Sequence, residues 1–268
     1  MNVNFHLPSC SQLIGALSIV VFFVTGVTAT VARGQDDIAD VSDKAYRAAN
    51  NAKFLYVEIQ SDPPAPEPAD GYKVLLVHPG GDGSRDFMPF VKRIYKNVLG
   101  PEYLVLELVA PKWAKSEQVV WPTVKDTAAA KFATEKFIAA AVDDAATRHK
   151  IDRRKVFALG WSSGGPAVYA ASLVEKPVIT ACMPAMSIFY PGMLPPLERA
   201  KGRPYFILHS PDDQVCKFAL AQNAKTNLEA AGAKVKLLEY PGGHGWQGNV
   251  FGNIKAGVEW MEEQTAAP

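Results

Sequence analysis

Short apolar runs alternate with amphipathic stretches along most of the chain. The continuous runs predict strands that are buried on both faces, and 54–60 alternates like a half-buried strand. The runs are Tyr72–His78, Tyr103–Leu108, 156–159, 178–183, Pro204–His209 and 234–240. Helical spacing predicts helices at 85–99, 126–149, 167–173, 215–231 and 249–264. This order predicts an α/β fold, a mostly parallel sheet with helices on both faces. The segment 184–203 is too short for a large lid domain.

The N-terminus has a different pattern. Residues 13–31 are uncharged and largely apolar, and they end near small-residue triplets at 27–29 and 30–32. This pattern predicts that 1–34 is a signal peptide and that the mature protein is secreted or periplasmic. The alternative is an uncleaved anchor that tethers the protein to a membrane, since about 19 apolar residues can span a bilayer. Residues 35–53 are predicted to form a lead-in helix.

Length and charge restrict the class of protein. The chain has 268 residues, enough for one large α/β domain or at most two small ones, and a formal net charge of +1 with its basic residues spread out. This argues against a nucleic-acid partner, which would require a clustered basic surface. The sequence contains neither a phosphate-loop motif nor a zinc-site motif, so we expect no cofactor and no catalytic metal.

A candidate nucleophile follows the 156–159 strand. Gly160-Trp161-Ser162-Ser163-Gly164 is a G-x-S-x-G motif between a predicted strand and a helix rich in small residues. On such a strand-to-helix turn the central serine projects above the sheet. The glycines avoid a collision between a Cβ and the neighbouring backbone. Ser162 is therefore the predicted nucleophile.

Two later strands are followed by a candidate acid and a candidate base. Asp212-Asp213 follows Pro204–His209, and His244 follows 234–240 between glycines. A serine nucleophile needs an imidazole base, and the base needs an orienting carboxylate. The order Ser162, Asp213, His244 is the order expected of one serine-hydrolase fold. Asp212 competes with Asp213 for the role of the acid.

The remaining requirement is a pair of N–H groups for the oxyanion. The backbone N–H of Ser163 is one candidate, and Gly80 or Gly81, after the Tyr72–His78 strand, supplies the other. Trp161 and Trp246 flank the nucleophile and the base, and they line a substrate pocket or pack against the sheet.

These motifs resemble those of the α/β-hydrolases, in particular small secreted esterases related to polyhydroxybutyrate depolymerases, feruloyl esterases and dienelactone hydrolases. The resemblance covers about 55–265, and it is carried by HPGGDG at 78–83, AVDDAATRHKIDRRKVFALGWSSGG at 141–165, HSPDDQV at 209–215 and GGHGW at 242–246. The family usually has His-Gly where this chain has His78-Pro79 and His209-Ser210. Family spacing favours Asp213 over Asp212.

The resemblance implies a catalytic domain over 54–268 that cleaves small-molecule or polymeric esters through an acyl-enzyme. The triad does not distinguish an ester from an amide or a thioester, so a peptidase and a thioesterase are alternatives. A non-catalytic binding or scaffold protein is the alternative from another class.

Two cysteines follow the leader, Cys182 and Cys216. In an exported chain they can form a disulfide, because the strand near Cys182 and the loop after the next strand are expected to be neighbours. The alternative is two small buried apolar side chains.

Overall fold

A computed structural model describes residues 37–113, 119–126 and 130–266, which all belong to one unit, Asp37–Pro268. The predicted signal peptide or anchor at 1–34 lies outside the described residues. Within the described ranges, no helix combines the length and apolar character needed to cross a bilayer.

In the described ranges, eight strands form a single sheet. They are β1 (Val41–Arg47), β2 (Leu55–Ser61), β3 (Tyr72–His78), β4 (Tyr103–Leu108), β5 (Ile151–Trp161), β6 (Ala181–Ala185), β7 (Pro204–His209) and β8 (Lys234–Glu239). Their order across the sheet is β1-β2-β4-β3-β5-β6-β7-β8. The pairs β1–β2 and β2–β4 are antiparallel and all other pairs are parallel. The prediction of a mostly parallel sheet is confirmed.

Helices cover both faces of the sheet. They are α1 (Met88–Ile94), α2 (Thr134–Ala145), α3 (Gly165–Ser172), α4 (Phe218–Ala230) and α5 (Val250–Gln264). Alternate residues of β3 belong to two separate cores: Leu76 packs in the core that includes Phe137 of α2, and Leu75 in the core that includes Ile254 of α5. Two buried faces explain why the central strands are continuous apolar runs.

The predicted lead-in helix over 35–53 is wrong. Val41–Arg47 is the edge strand β1, in register with β2 from Val41 opposite Ser61 to Arg47 opposite Leu55, and only Ala48–Asn50 forms a short 3₁₀ helix. The segment VSDKAYR has no apolar alternation, so the free edge of β2 and not its own side chains determines its conformation.

The predicted helix over 126–149 is shorter than expected. Helix α2 begins at Thr134, because Lys131 has a φ of 59° and Ala133 is extended. The segment 186–203, between β6 and β7, holds two short 3₁₀ helices, Pro191–Met193 and Leu197–Ala200. The loops after β3, β5, β7 and β8 all leave the carboxyl edge of the sheet, where ligands bind in parallel α/β folds.

Candidate active site

The turn after β5 holds Ser162 in a strained conformation. Its φ is 50°, in the left-handed region that residues with a Cβ rarely adopt. A Cβ on Gly160 would lie 2.7 Å from the carbonyl oxygen of Gly164, and a Cβ on Gly164 would overlap the backbone of His78. The prediction that both glycines are required by close backbone contacts is confirmed.

Ser187, in the loop after β6, stabilises the turn that carries Ser162. Its hydroxyl donates to the carbonyl oxygen of Ser162 at 3.0 Å, and a Cβ on Gly165 would overlap it. The sequence analysis did not identify this residue. Its position just after the carboxyl end of β6, the strand next to that of the nucleophile, is the sequence feature from which it could have been predicted.

Asp213 lies fully buried in the loop after β7. Its Oδ1 accepts hydrogen bonds from the backbone N–H groups of Val215 and Cys216, both at 2.8 Å. Burial by itself would raise the pKa of this carboxyl group. The hydrogen bonds from His244 and from the two N–H groups outweigh burial and hold the pKa below its ordinary value. Asp213 is therefore a carboxylate at neutral pH.

His244 connects Asp213 to Ser162. Its Nδ1 lies 2.8 Å from Asp213 Oδ2, and its Nε2 lies 3.1 Å from Ser162 Oγ. Because a carboxylate can only accept, the network assigns the proton of the neutral imidazole to Nδ1. Nε2 then accepts from the Ser162 hydroxyl, which is the arrangement a general base requires.

Asp212 lies outside this chain of hydrogen bonds. Its side chain is exposed, and its backbone N–H donates to the hydroxyl of Ser210 at 3.2 Å. The structure therefore brings together Ser162, Asp213 and His244, and leaves Asp212 in the turn.

Two further residues support the acid. The buried His209 lies with its Nε2 3.4 Å from Asp213 Oδ2 and 2.7 Å from the carbonyl oxygen of Cys216. Burial lowers the pKa of His209, so its ring is neutral and donates from Nε2. The hydroxyl of the buried Ser210 accepts from the N–H of Gly243, next to the base, at 3.0 Å. Sequence reasoning identified neither contact.

The Gly-rich loop after β3 faces the nucleophile turn. The hydroxyl of Ser163 donates to the carbonyl oxygen of Gly81 at 2.8 Å, and a Cβ on Gly80 would lie 2.6 Å from the Trp161 ring. Among the described residues, the N–H of Gly81 donates to no other group. The N–H of Ser163 lies in the first turn of a helix, where it has no intrahelical acceptor. These N–H groups are available to an anionic oxygen.

Trp161 and Trp246 pack against each other, with ring centroids 5.6 Å apart, and both contact Phe90. Trp161 is only 3% exposed. Trp161 is therefore a packed interior side chain and not part of a substrate pocket. Neither Trp161 nor Trp246 lines the cavity that is described next.

An apolar cavity of about 190 Å³ is lined by residues of α3 and of the loops after β4 and β6. Pro166 lines it one helical turn after the nucleophile, and Ile188 lines it next to Ser187. Trp121 lines it as well, and its indole N–H donates to the carbonyl oxygen of Pro79 at 3.0 Å. The lining thus includes a residue of the helix that carries the nucleophile turn and a residue that is hydrogen-bonded to the Gly-rich loop.

The possible disulfide between Cys182 and Cys216 is not formed, and both thiols are free and buried. Cys182 lies opposite Tyr205 near the start of β7, whereas the carbonyl of Cys216 contacts His209 at its end. The two cysteines therefore lie near opposite ends of β7, about 13 Å apart along the strand, which is the length of four residues. A disulfide requires Cα atoms within about 7 Å of each other. Burial raises the pKa of Cys182 to about 12 and that of Cys216 to about 11.

Within the described ranges, no three His, Cys, Asp or Glu side chains are arranged to hold a metal ion. The polar groups at the site are those of the serine, the imidazole, the carboxylate and the backbone N–H donors. They suit the transfer of an acyl group through Ser162.

Comparison with known proteins identifies the fold. No family model matches the sequence. Esterase 2 of Thermogutta terrifontis, solved as phosphorylated by paraoxon, is 17% identical, with 86% of this chain and 97% of that chain covered and a TM-score of 0.62. An α/β-hydrolase enzyme from a Medee basin deep-sea metagenome library is 14% identical, with 84% and 98% covered and a TM-score of 0.62. An esterase/lipase from an uncultured bacterium is 17% identical, with 92% and 95% covered and a TM-score of 0.61. The chain has the α/β-hydrolase fold.

Proposed function

We propose that the protein is a serine esterase in which Ser162 is the nucleophile, His244 the general base and then the general acid, and Asp213 the residue that orients the imidazole. The observation that carries the proposal is the continuous path of hydrogen bonds from Ser162 Oγ through His244 to a buried carboxylate. The strained φ of Ser162 supports it, since backbone strain of this kind concentrates at functional sites.

The proposed reaction begins when Ser162 Oγ attacks the ester carbonyl carbon. The hydroxyl proton passes to His244 Nε2, and the negative charge moves to the carbonyl oxygen. The N–H of Ser163 and that of Gly81 or Gly80 stabilise this oxygen. The imidazolium then gives its proton to the alcohol oxygen as the bond between carbon and that oxygen breaks. Water hydrolyses the acyl-enzyme by the same steps and restores Ser162.

The neighbours favour an ester over an amide or thioester. Two of the three similar structures are described as an esterase or an esterase/lipase, and one of these was solved with the enzyme phosphorylated by paraoxon. The triad alone allows all three substrates.

The test is turnover of p-nitrophenyl acetate by the wild-type protein and by two serine variants. Ser162→Ala removes the nucleophile, so we expect a loss of at least about 10³-fold. Ser163→Ala keeps the backbone N–H and removes only the hydrogen bond to Gly81, so we expect a loss of at most about tenfold. Equal rates for the wild type and Ser162→Ala would refute the proposal, as would an inactive wild-type protein that is correctly folded by circular dichroism.

A further inference from the structure

We infer that the cavity lined by Trp121, Pro166 and Ile188 is the acyl pocket, and that it selects esters of apolar carboxylic acids about the size of one aromatic ring or six to eight carbons. This inference rests on the proposed function, because it assigns the substrate of the same site.

The chemistry of the lining determines the class of ligand. Most of the side chains around the cavity are aromatic or aliphatic, and they include Trp121, Tyr169, Phe189, Met193 and Leu194. Such walls bind an apolar group by removing its surface from water. Aromatic walls in addition favour the edge and face contacts of a ring.

The volume determines the size of the group. An apolar cavity of roughly 150 Å³ holds a benzene molecule. A cavity of about 190 Å³ therefore holds a ring with one or two further carbons, or a chain of comparable volume.

The position of the cavity assigns it to the acyl part of the ester. His244 must reach the oxygen of the leaving alcohol, so the alcohol lies toward the loop after β8. The described lining residues come from the loop after β4, from helix α3 and from the loop after β6, and none comes from the loop after β8. The group that enters the cavity is therefore the one on the far side of the carbonyl carbon from the alcohol.

The mouth of the cavity limits what longer acyl chains gain. Tyr190 and Met193 line the cavity and are 46% and 55% exposed, and Val124, also exposed, lies between two lining residues. Carbons beyond the cavity would rest on this open rim and lose only part of their contact with water. We expect the gain per carbon to fall once the cavity is full.

The experiment compares kcat/KM for p-nitrophenyl acetate, hexanoate, dodecanoate and benzoate, each divided by its rate of hydroxide hydrolysis. Each buried methylene gives up to about fourfold, so hexanoate should exceed acetate by at least about tenfold, with benzoate similar to hexanoate. Dodecanoate should exceed hexanoate by less than about tenfold. Equal constants for acetate and hexanoate would overturn the inference, and so would a rise that continues undiminished to dodecanoate.

Variants of Leu194 test the site itself. Leu194→Trp fills the cavity, so the ratio of hexanoate to acetate should fall at least about fivefold, and Leu194→Ala should move the preference to longer acyl groups. Met193→Trp is a second filling variant that the fold should accept, because Met193 is more than half exposed. Leu237→Ala is the matched control: Leu237 packs against the same core without lining the cavity, and its variant should keep the wild-type ratio. An unchanged ratio in both filling variants would overturn the inference.

A binding measurement separates failure of the pocket from failure of the proposed function. Saturation-transfer NMR of methyl benzoate with Ser162→Ala should show binding that is lost in Ser162→Ala/Leu194→Trp. Without turnover of any ester, this result would uphold the pocket while the proposed function fails. Absence of binding to Ser162→Ala would overturn the pocket, whatever Ser162 does.

Discussion

The hydroxyl of Ser210 accepts a hydrogen bond from the backbone N–H of Gly243 at 3.0 Å, and so joins the loop of the acid to the loop of the base. This hydrogen bond connects the two loops whose side chains, Asp213 and His244, lie 2.8 Å apart.

Ser210→Ala should lower kcat while leaving KM nearly unchanged, because the hydroxyl positions the base without touching substrate. One hydrogen bond of this kind corresponds to about a two- to tenfold loss in kcat. The measurement is steady-state kinetics with a short p-nitrophenyl ester. Ser61→Ala is the control. The hydroxyl of Ser61, at the end of β2, likewise accepts a hydrogen bond from a backbone N–H, that of Ala65 in the loop after β2. A fall in kcat of the same size in both variants would contradict a positioning role for Ser210.

Adjacent aspartates give a matched pair for the orienting carboxylate. Asp213→Asn should lower kcat/KM by roughly 10³- to 10⁴-fold, because an amide that donates to Nδ1 imposes the wrong tautomer on His244. Asp212→Asn should remain within about threefold of wild type, since this side chain is exposed and makes no bond to the imidazole. Similar losses for the two variants would show that the assignment of the acid is wrong.

Gly160 is required by packing. Gly160→Ala places a methyl group 2.7 Å from both the Gly164 carbonyl oxygen and a Val168 methyl group, so it should lower the free energy of unfolding by about 1–3 kcal/mol. Gly192→Ala is the control, because no atom of the described residues lies within 4 Å of the added carbon. Urea unfolding followed by circular dichroism measures both variants. If Gly160→Ala were as stable as Gly192→Ala, the tight contact at the turn would be disproved.

Glu107 makes the stability depend on pH. Its side chain is fully buried in β4 with neither carboxyl oxygen hydrogen-bonded to a described group, and burial raises its pKa to about 8. The folded protein therefore keeps a proton that the unfolded chain releases near pH 4.5, so the stability from this group is full below that pH. It is lost as the pH rises through about 8.

Glu107→Gln cannot lose that proton. From pH 5 to pH 9 its Tm should fall less than the wild-type Tm, and the difference between the two curves should grow with pH. Thermal unfolding at one-unit intervals measures this, with the exposed Glu175→Gln as the control that follows the wild type. Parallel curves for wild type and Glu107→Gln would exclude the buried titration.

The sequence predicted the parallel core of the fold and the three residues that meet at its carboxyl edge. Strands buried on both faces leave a clear signal, and so does a serine between glycines at the end of such a strand. Strand β1 left no signal, because its conformation depends on the unpaired edge of β2 and not on its own polar residues. The possible Cys182–Cys216 disulfide was not found for a related reason. The sequence indicated which strands are adjacent, but it did not indicate how far along the strands each cysteine lies.

The contacts that complete the site could not be read from local patterns. Ser187 and Ser210 act through hydrogen bonds between segments that are distant in sequence, and His209 through a bond to the carbonyl of Cys216, in the loop that follows its strand. The cavity is likewise built by two loops and a helix that come together only in the folded chain. The position of these three residues, at or just after the carboxyl end of a parallel strand, is the sequence feature that predicts their place.

The most direct test of the central claim is to treat the protein with an equimolar fluorophosphonate and locate the adduct by peptide mass spectrometry. Such reagents require a serine that an adjacent base activates. The account predicts one adduct per chain, on Ser162, with labelling at least about 100-fold slower in His244→Ala. An unlabelled but folded wild-type protein would contradict the account, as would an adduct on another residue or labelling that does not depend on His244.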